Sequence, residues 1–214
     1  VLQGVDPARE ASFTLRNRLA RAAWGIVWTL LFRPSPRPLH GWRAALLRAF
    51  GARLGPHVHV YPSVRVWAPW NLQIDGYVGI GDRAILYNMG TLRIGHHAVV
   101  SQGAHLCGGT HDPDSERFQL VAAPITIGAH AWICADAFLG PGVRVADGAV
   151  VGARSVVVRD LEQPWTIYAG HPARARRPRR RTGELGAPCA AVAADSAAPP
   201  PAVHAAARER GGGA

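Results

Sequence analysis

Every sixth residue from Ile127 onward is aliphatic: Ile127, Ile133, Leu139, Val145, Val151 and Val157. Four places after each of these come Ala131, Ala137, Val143, Ala149 and Ser155, before Leu161 breaks the series. A helix would scatter a six-residue period around its circumference, and a flat amphipathic strand would show a period of two. One large and one small inward residue per six instead predicts short strands joined by tight corners and stacked as a parallel β-helix. The same register runs upstream in threes: Leu54, Val60, Val66; Ile74, Ile80, Leu86; Ile94, Val100, Leu106. Two extra residues enter before Ile74, two more before Ile94 and fifteen before Ile127. If three hexapeptides make one triangular turn, all three insertions leave from the same corner. The segments 67–73, 87–93 and 107–126 are then expected side by side along one edge.

The repeat occupies residues 51–177, about five turns, with 107–126 as its long insertion. Residues 1–50 form a lead-in and two helices. The first can start at Ser12 and runs to Phe32, where Pro34, Pro36 and Pro38 stop it. The second, "GWRAALLRAF", ends at Gly51, a C′ glycine. Residues 22–32 are apolar on every side, yet a bilayer span needs roughly 20 residues. Packing against the coil or a neighbouring subunit, or lying in a membrane interface, would each account for them. The segment 178–214 is rich in Arg, Ala, Pro and Gly, cannot assemble a core, and is expected to be disordered.

A net charge of +10 suggests nucleic acid until it is located. Six arginines lie between Arg174 and Arg181, so much of the charge is local. That run reads as a solvated basic edge or an anion-binding one. No aromatic residues interleave with it, which argues against base stacking. Three cysteines, Cys107, Cys134 and Cys189, show no disulfide-like spacing and indicate reduced thiols in the cytoplasm. Cys107 precedes His111 by four residues, but small apolar filler at a repeat position accounts for it better than a nucleophile does. No cleavable signal pattern is visible in the sequence given.

The polar stretch "GGTHDP", residues 108–113, stands inside the longest insertion. With "ITIGAHAWICADAFLGPGVRVADGAVVGARSVVVRD" after it and "AGHPAR" further on, the chain resembles the hexapeptide-repeat acyltransferases. It is most similar to the galactoside and maltose O-acetyltransferases. The runs "FRPSPRPLHGWRAALLRAFGA", "PWNLQIDG" and "ILYNMGTLRIGHHAVVSQGAHLCGGTHD" extend the likeness to acetyltransferases of colanic-acid-type exopolysaccharide clusters. The resemblance covers about residues 14–177. It implies a left-handed β-helix that forms homotrimers, with acetyl-CoA along a groove between adjacent coils and no metal.

The family's catalytic histidine matches His111 in Thr110-His111-Asp112. A thioester is already activated, so the obstacle is the acceptor hydroxyl, whose proton must leave as its oxygen attacks. Imidazole titrates near pH ~6.5 and suits that task. One ring nitrogen is expected to take the proton and the other to be fixed by a carbonyl or carboxylate. Asp112 and Asp114 are candidates for that partner, although both also suit loop capping. The resemblance further implies acetyl-CoA contacts at Trp132, Ala135, Ala153, Arg159, Arg174 and Arg177, the arginines meeting phosphates. Val158 stands where the family has a threonine. For the acceptor, Asn88, Tyr87 and Trp70, together with Trp67, lie near the expected sugar site. The acidic sugar-binding residue of the galactoside enzymes is replaced here by the helical pair. That substitution points to a different saccharide, such as a lipid-linked repeat unit met at the inner membrane face.

Three rivals remain open at this level. The same scaffold could acetylate an amine, the coil could have lost catalysis and serve as a binding scaffold, or three histidines including His105 and His111 could hold zinc across a trimer interface.

Overall fold

The computed structural model describes Leu2 and residues 9–180. The expectation of a disordered tail and residue Cys189 lie outside the described residues. Helix α1 (Leu15–Val27) is the first element among the described residues. It is capped by Thr14, whose Oγ1 accepts from the Asn17 N–H at 3.3 Å, two residues later than the Ser12 start read from the sequence. It continues without a break into a π-helical turn, Trp28–Phe32, and the proline-rich link follows. Helix α2 (His40–Ala49) ends at Gly51, whose φ of 89° only glycine adopts readily.

The coil then begins. Its first turn is β1 (Arg53–Leu54), β2 (His59–Val60) and β3 (Arg65–Val66). A 3-10 turn at Pro69–Asn71 leads to β4 (Leu72–Ile74), β5 (Gly79–Ile80) and β6 (Ile85–Tyr87). The third turn is β7 (Leu92–Ile94), β8 (Val99–Val100) and β9 (His105–Cys107). An antiparallel hairpin of β10 (Gly109–His111) and β11 (Leu120–Ala122) projects before the fourth turn. That turn is β12 (Ile125–Ile127), β13 (Trp132–Ile133) and β14 (Phe138–Leu139). The fifth is β15 (Arg144–Val145), β16 (Val150–Val151) and β17 (Val156–Val157). A partial sixth turn follows, with β18 (Thr166–Gly170) and β19 (Ala173–Pro178) antiparallel to each other.

Strands one turn apart pair in parallel, giving three faces: β1-β4-β7-β12-β15, β2-β5-β8-β13-β16-β18-β19, and β3-β6-β9-β14-β17. The six-residue aliphatic series forms ladders down the middle of the coil. Leu54, Ile74, Ile94, Ile127 and Val145 are consecutive partners on the first face, and the last four are buried. The small series Ala131, Ala137, Val143, Ala149 and Ser155 is also buried, at the bends. Leu161 breaks that series because it is not a bend residue. It bridges Val145 as the inward residue of the next turn, so the sixth turn begins two positions early.

The corner between the first and second faces is built from residues in the left-handed region: His57, Tyr77, His97, His130, Gly148 and Trp165, with φ from 49° to 67°. Their rings stack in sequence, His57 on Tyr77, Tyr77 on His97 and His97 on His130, at 4.8–5.0 Å between centroids. Trp165 extends the stack at 5.9 Å from His130, and Arg179 lies over its indole. Gly148 interrupts the rings because a Cβ there would overlap the Trp165 ring.

Helix α1 is anchored on the third face through its indoles. Trp24 Nε1 donates to the Val66 carbonyl and Trp28 Nε1 to the Val64 carbonyl, each at 2.8 Å. Arg43 of α2 is fully buried, and among the described residues no carboxylate forms an ion pair with it. Its guanidinium donates to the carbonyls of Val60, Pro36 and Arg37 and to Ser35 Oγ, tying the proline-rich link to the coil.

Candidate active site

The three insertions stack at the corner between the third and first faces, as their spacing predicts. The Asn71 amide donates to the carbonyls of Asn88 and Met89, and Gly108 N–H donates to the Tyr87 carbonyl. Glycine is required at one point where the layers touch, since a Cβ at Gly90 would strike the Ala123 carbonyl; at Gly109 a Cβ would displace the flexible Met89 side chain. The hairpin rises from this base in the register Gly109↔Ala122, Thr110↔Val121, His111↔Leu120.

His111 closes the hairpin. Its Nδ1 lies 2.6 Å from the Phe118 carbonyl oxygen. A carbonyl only accepts, so Nδ1 carries the hydrogen and Nε2 of the neutral ring keeps its lone pair. The loop is shaped to hold that carbonyl in place. Asp112 N–H donates to the Gln119 carbonyl, Phe118 N–H to the Ser115 carbonyl, and Phe118 sits at φ 46°. Asp112 Oδ1 accepts from Asp114 N–H, a turn-capping contact, so neither carboxylate is seen to orient the imidazole. The side chain of His111 is exposed.

The residues matched to acetyl-CoA gather mainly elsewhere. Trp132 projects from the second face, 45% exposed, beside its strand partner Val99, and donates from Nε1 to Ser101 Oγ at 2.8 Å. Ala135 and Ala153 lie on successive turns of the corner between the second and third faces, joined by Arg154 N–H to the Ala135 carbonyl at 2.9 Å. Among the described residues, neither alanine's own N–H donates a hydrogen bond, so both are available donors at that corner. His171 of "AGHPAR" caps the column through the Arg154 carbonyl, and Gly170 N–H donates to Ser155 Oγ. Arg174 and Arg177 follow on β19, in the same sheet as Trp132, exposed and without a carboxylate partner among the described residues. Arg159 is also exposed but stands past β17, at the His111 corner. The chain thus carries a histidine corner and a donor-rich corner at opposite edges of its third face.

The acceptor candidates divide. Tyr87 lines a groove of about 450 Å³ between α1 and the third face, with Arg21, Trp28, Arg65 and Trp67. Trp67 meets the Tyr87 ring edge-on, and the Arg21 guanidinium lies 4.5 Å over the Trp67 ring. Burial pushes the Tyr87 phenol up, which keeps it protonated. Asn88 corrects the expectation. It is buried, its Oδ1 accepts from Ala68 N–H at 3.1 Å and its Nδ2 donates to the Ala68 carbonyl at 2.7 Å. Its amide is committed to the coil rather than offered to a sugar. Trp70 packs against Gly51 and is not among the groove-lining residues. Sequence reasoning missed Ser101, Arg21 and the Phe118 carbonyl.

His105 does not join His111. Its ring lies edge-on between Tyr87 and Phe138, burial lowers its pKa, and its Nε2 is buried with no partner among the described residues. The histidines that do converge are His96, His97 and His130, exposed at the stacked corner, with ligand atoms within 4.8 Å of one another. Burial pushes the Cys134 thiol up, away from the thiolate a nucleophile requires.

No family model matches the chain. It is 42% identical over 166 residues to the colanic acid biosynthesis acetyltransferase named WcaF of Escherichia coli (strain K12), a match covering 78% of this chain and 91% of that protein. It is 30% identical over 149 residues to the galactoside O-acetyltransferase of the same organism, covering 63% and 68%. Among solved structures, a maltose O-acetyltransferase from Clostridium difficile 630 aligns with a TM-score of 0.72 at 20% identity, covering 78% of this chain and 90% of that one. A hexapeptide-repeat acetyltransferase from Vibrio cholerae complexed with acetyl coenzyme A aligns at 0.71 and 23%, covering 78% and 91%. With its repeat, its corner insertions and these relatives, the chain belongs to the hexapeptide-repeat acetyltransferases, the family that includes the colanic acid and galactoside enzymes.

Proposed function

We propose that this acetyltransferase moves the acetyl group of acetyl-CoA onto a hydroxyl of a saccharide, an exopolysaccharide precursor free or lipid-linked, with His111 as general base. The observation that carries this reading is the Nδ1–H···O bond to Phe118, which leaves Nε2 as the basic nitrogen. Nε2 takes the hydroxyl proton as the oxygen attacks the thioester carbonyl carbon. The tetrahedral intermediate then collapses, the C–S bond breaks, and the imidazolium returns the proton to the departing thiolate. Free N–H donors at the Ala135–Ala153 corner suit the developing oxyanion or the amides of the pantetheine arm. Arg174, Arg177 and Arg159 supply cations for the nucleotide phosphates.

The two corners lie apart on one chain, so the active site is assigned to the junction between protomers of a homotrimer. One protomer's His111 would face its neighbour's donor corner. The Tyr87–Trp67 groove offers aromatic faces to the acceptor.

The test is thiol release from acetyl-CoA with candidate saccharides and amino sugars, wild type against His111→Ala. The expected loss is 10²–10⁴-fold or thereabouts, the usual contribution of a general base. A loss below about tenfold refutes the assignment, and turnover confined to amines replaces the hydroxyl with a nitrogen acceptor.

A further inference from the structure

Helix α1 is amphipathic in an inverted sense. The side that packs on the coil carries Trp24 and Trp28, both spending their indole N–H on carbonyls there. The opposite side is an unbroken apolar stripe. At 3.6 residues per turn, Leu15, Leu19, Ala22 and Ile26 fall on one line, spaced four, three and four residues apart, and Leu30 follows in the π-helical turn. Leu15, Leu19, Ile26 and Leu30 are 61–66% exposed. Leu31 and Trp42, joined by Trp42 Nε1 donating to the Leu31 carbonyl, extend this surface at the C-terminal end of the helix, and both are exposed. Large side chains placed this way leave a continuous apolar strip open to whatever lies beside the helix.

The surrounding charge says what that neighbour is. Residues 11–74 contain nine arginines and no aspartate or glutamate. Arg16 and Arg18 flank the stripe and Arg33 stands at its end, all exposed. Among the described residues, Arg37 is the arginine of this segment that meets a carboxylate, Asp82. A second copy docking strip to strip would bring arginines against arginines with no carboxylate in the segment to offset them. An anionic bilayer fits both properties, since acyl chains receive the leucines and headgroups receive the guanidinium fringe.

We propose that the outward strip of α1, continued by Leu31 and Trp42, is a docking surface for an anionic membrane, on which the protein lies without crossing. No described helix is long and apolar enough to span. The inference does not rest on the catalytic reading, because its readout is binding.

The experiment is flotation of the full-length protein with phosphatidylglycerol–phosphatidylcholine vesicles and with pure phosphatidylcholine vesicles. Soluble-acceptor thiol release and solution mass are recorded for every variant. The protein is expected to float with the anionic vesicles, and added salt should weaken the binding. Leu19→Glu/Ile26→Glu should abolish flotation while mass and thiol release stay unchanged, since both side chains are exposed. Arg16→Gln/Arg18→Gln/Arg33→Gln should reduce partitioning roughly a hundredfold, about fivefold for each charge. Wild-type protein left at the bottom of the gradient overturns the proposal. So does undiminished flotation of the Leu19/Ile26 variant, which would assign binding to the Arg174–Arg181 run. A fall in solution mass of that variant also overturns it, because the strip would then join copies of the chain.

Discussion

Replacing Asn88 with alanine separates a scaffold role from a substrate role. The side chain is buried and makes two bonds to Ala68, itself buried. Truncation would leave the Ala68 N–H without its acceptor. The Ala68 carbonyl fares better, because Asn71 N–H also donates to it at 3.0 Å and remains. An orphaned buried N–H costs about 1–3 kcal/mol, and losing one of two bonds to a carbonyl costs about 0.5–1.5 kcal/mol. The variant should therefore lose roughly 2–4 kcal/mol. For a chain of this size that lowers Tm by about 5–15 °C. The assay is thermal unfolding at one fixed protein concentration, paired with acceptor KM measured well below the lowered Tm. A Tm within about 1 °C of wild type together with a tenfold rise in acceptor KM would refute the reasoning and return Asn88 to the sugar.

Gly148→Ala should destabilise by about 2–4 kcal/mol, combining a positive φ with overlap against Trp165. Gly79→Ala, where nothing lies within 4 Å, should be within about 1 kcal/mol of wild type, and equal effects in chemical unfolding would contradict the corner geometry. Burial holds the pKa values of His105 and His40 below the usual imidazole range, for His40 against the opposing pull of the Val60 carbonyl. The unfolded chain therefore takes up those protons first. Their contribution is whole above about pH 6.5 and is lost as pH falls toward the folded values. His105→Phe should flatten that acid limb, and an unchanged slope in urea midpoints between pH 7 and 5, roughly the window concerned, would contradict it. Trp132→Ala should raise the acetyl-CoA KM about tenfold with little change in Tm, because the indole is half-exposed and spends one bond on Ser101. A large fall in Tm with unchanged KM would make Trp132 a packing residue.

The repeat made most of the coil legible in advance. An inward ladder needs one aliphatic residue per six, so Ile127 to Val157 announce their own positions, and insertions between triplets announce the corner they leave from. Leu161 misled because a shortened turn looks like a broken rule until its pairing with Val145 is seen. His111 could be singled out as a candidate because its loop is a recognisable sequence. Its partner could not, because the Phe118 oxygen belongs to the backbone, which every residue carries alike. Asn88 was misplaced for a related reason. Polar residues at a corner point out or in according to what the neighbouring turn leaves unpaired, and Ala68 lies twenty positions away. The all-round apolar character of residues 22–32 was plain, but only the docked indoles show which side stays uncovered.

The hairpin that bears His111 leaves the coil and rejoins it without disturbing the stacking, since β12 continues β7 residue for residue across fifteen inserted positions. The shaft therefore does not register how long or how shaped that excursion is. Insertions at the hairpin tip can therefore accumulate while every ladder of the coil keeps its register.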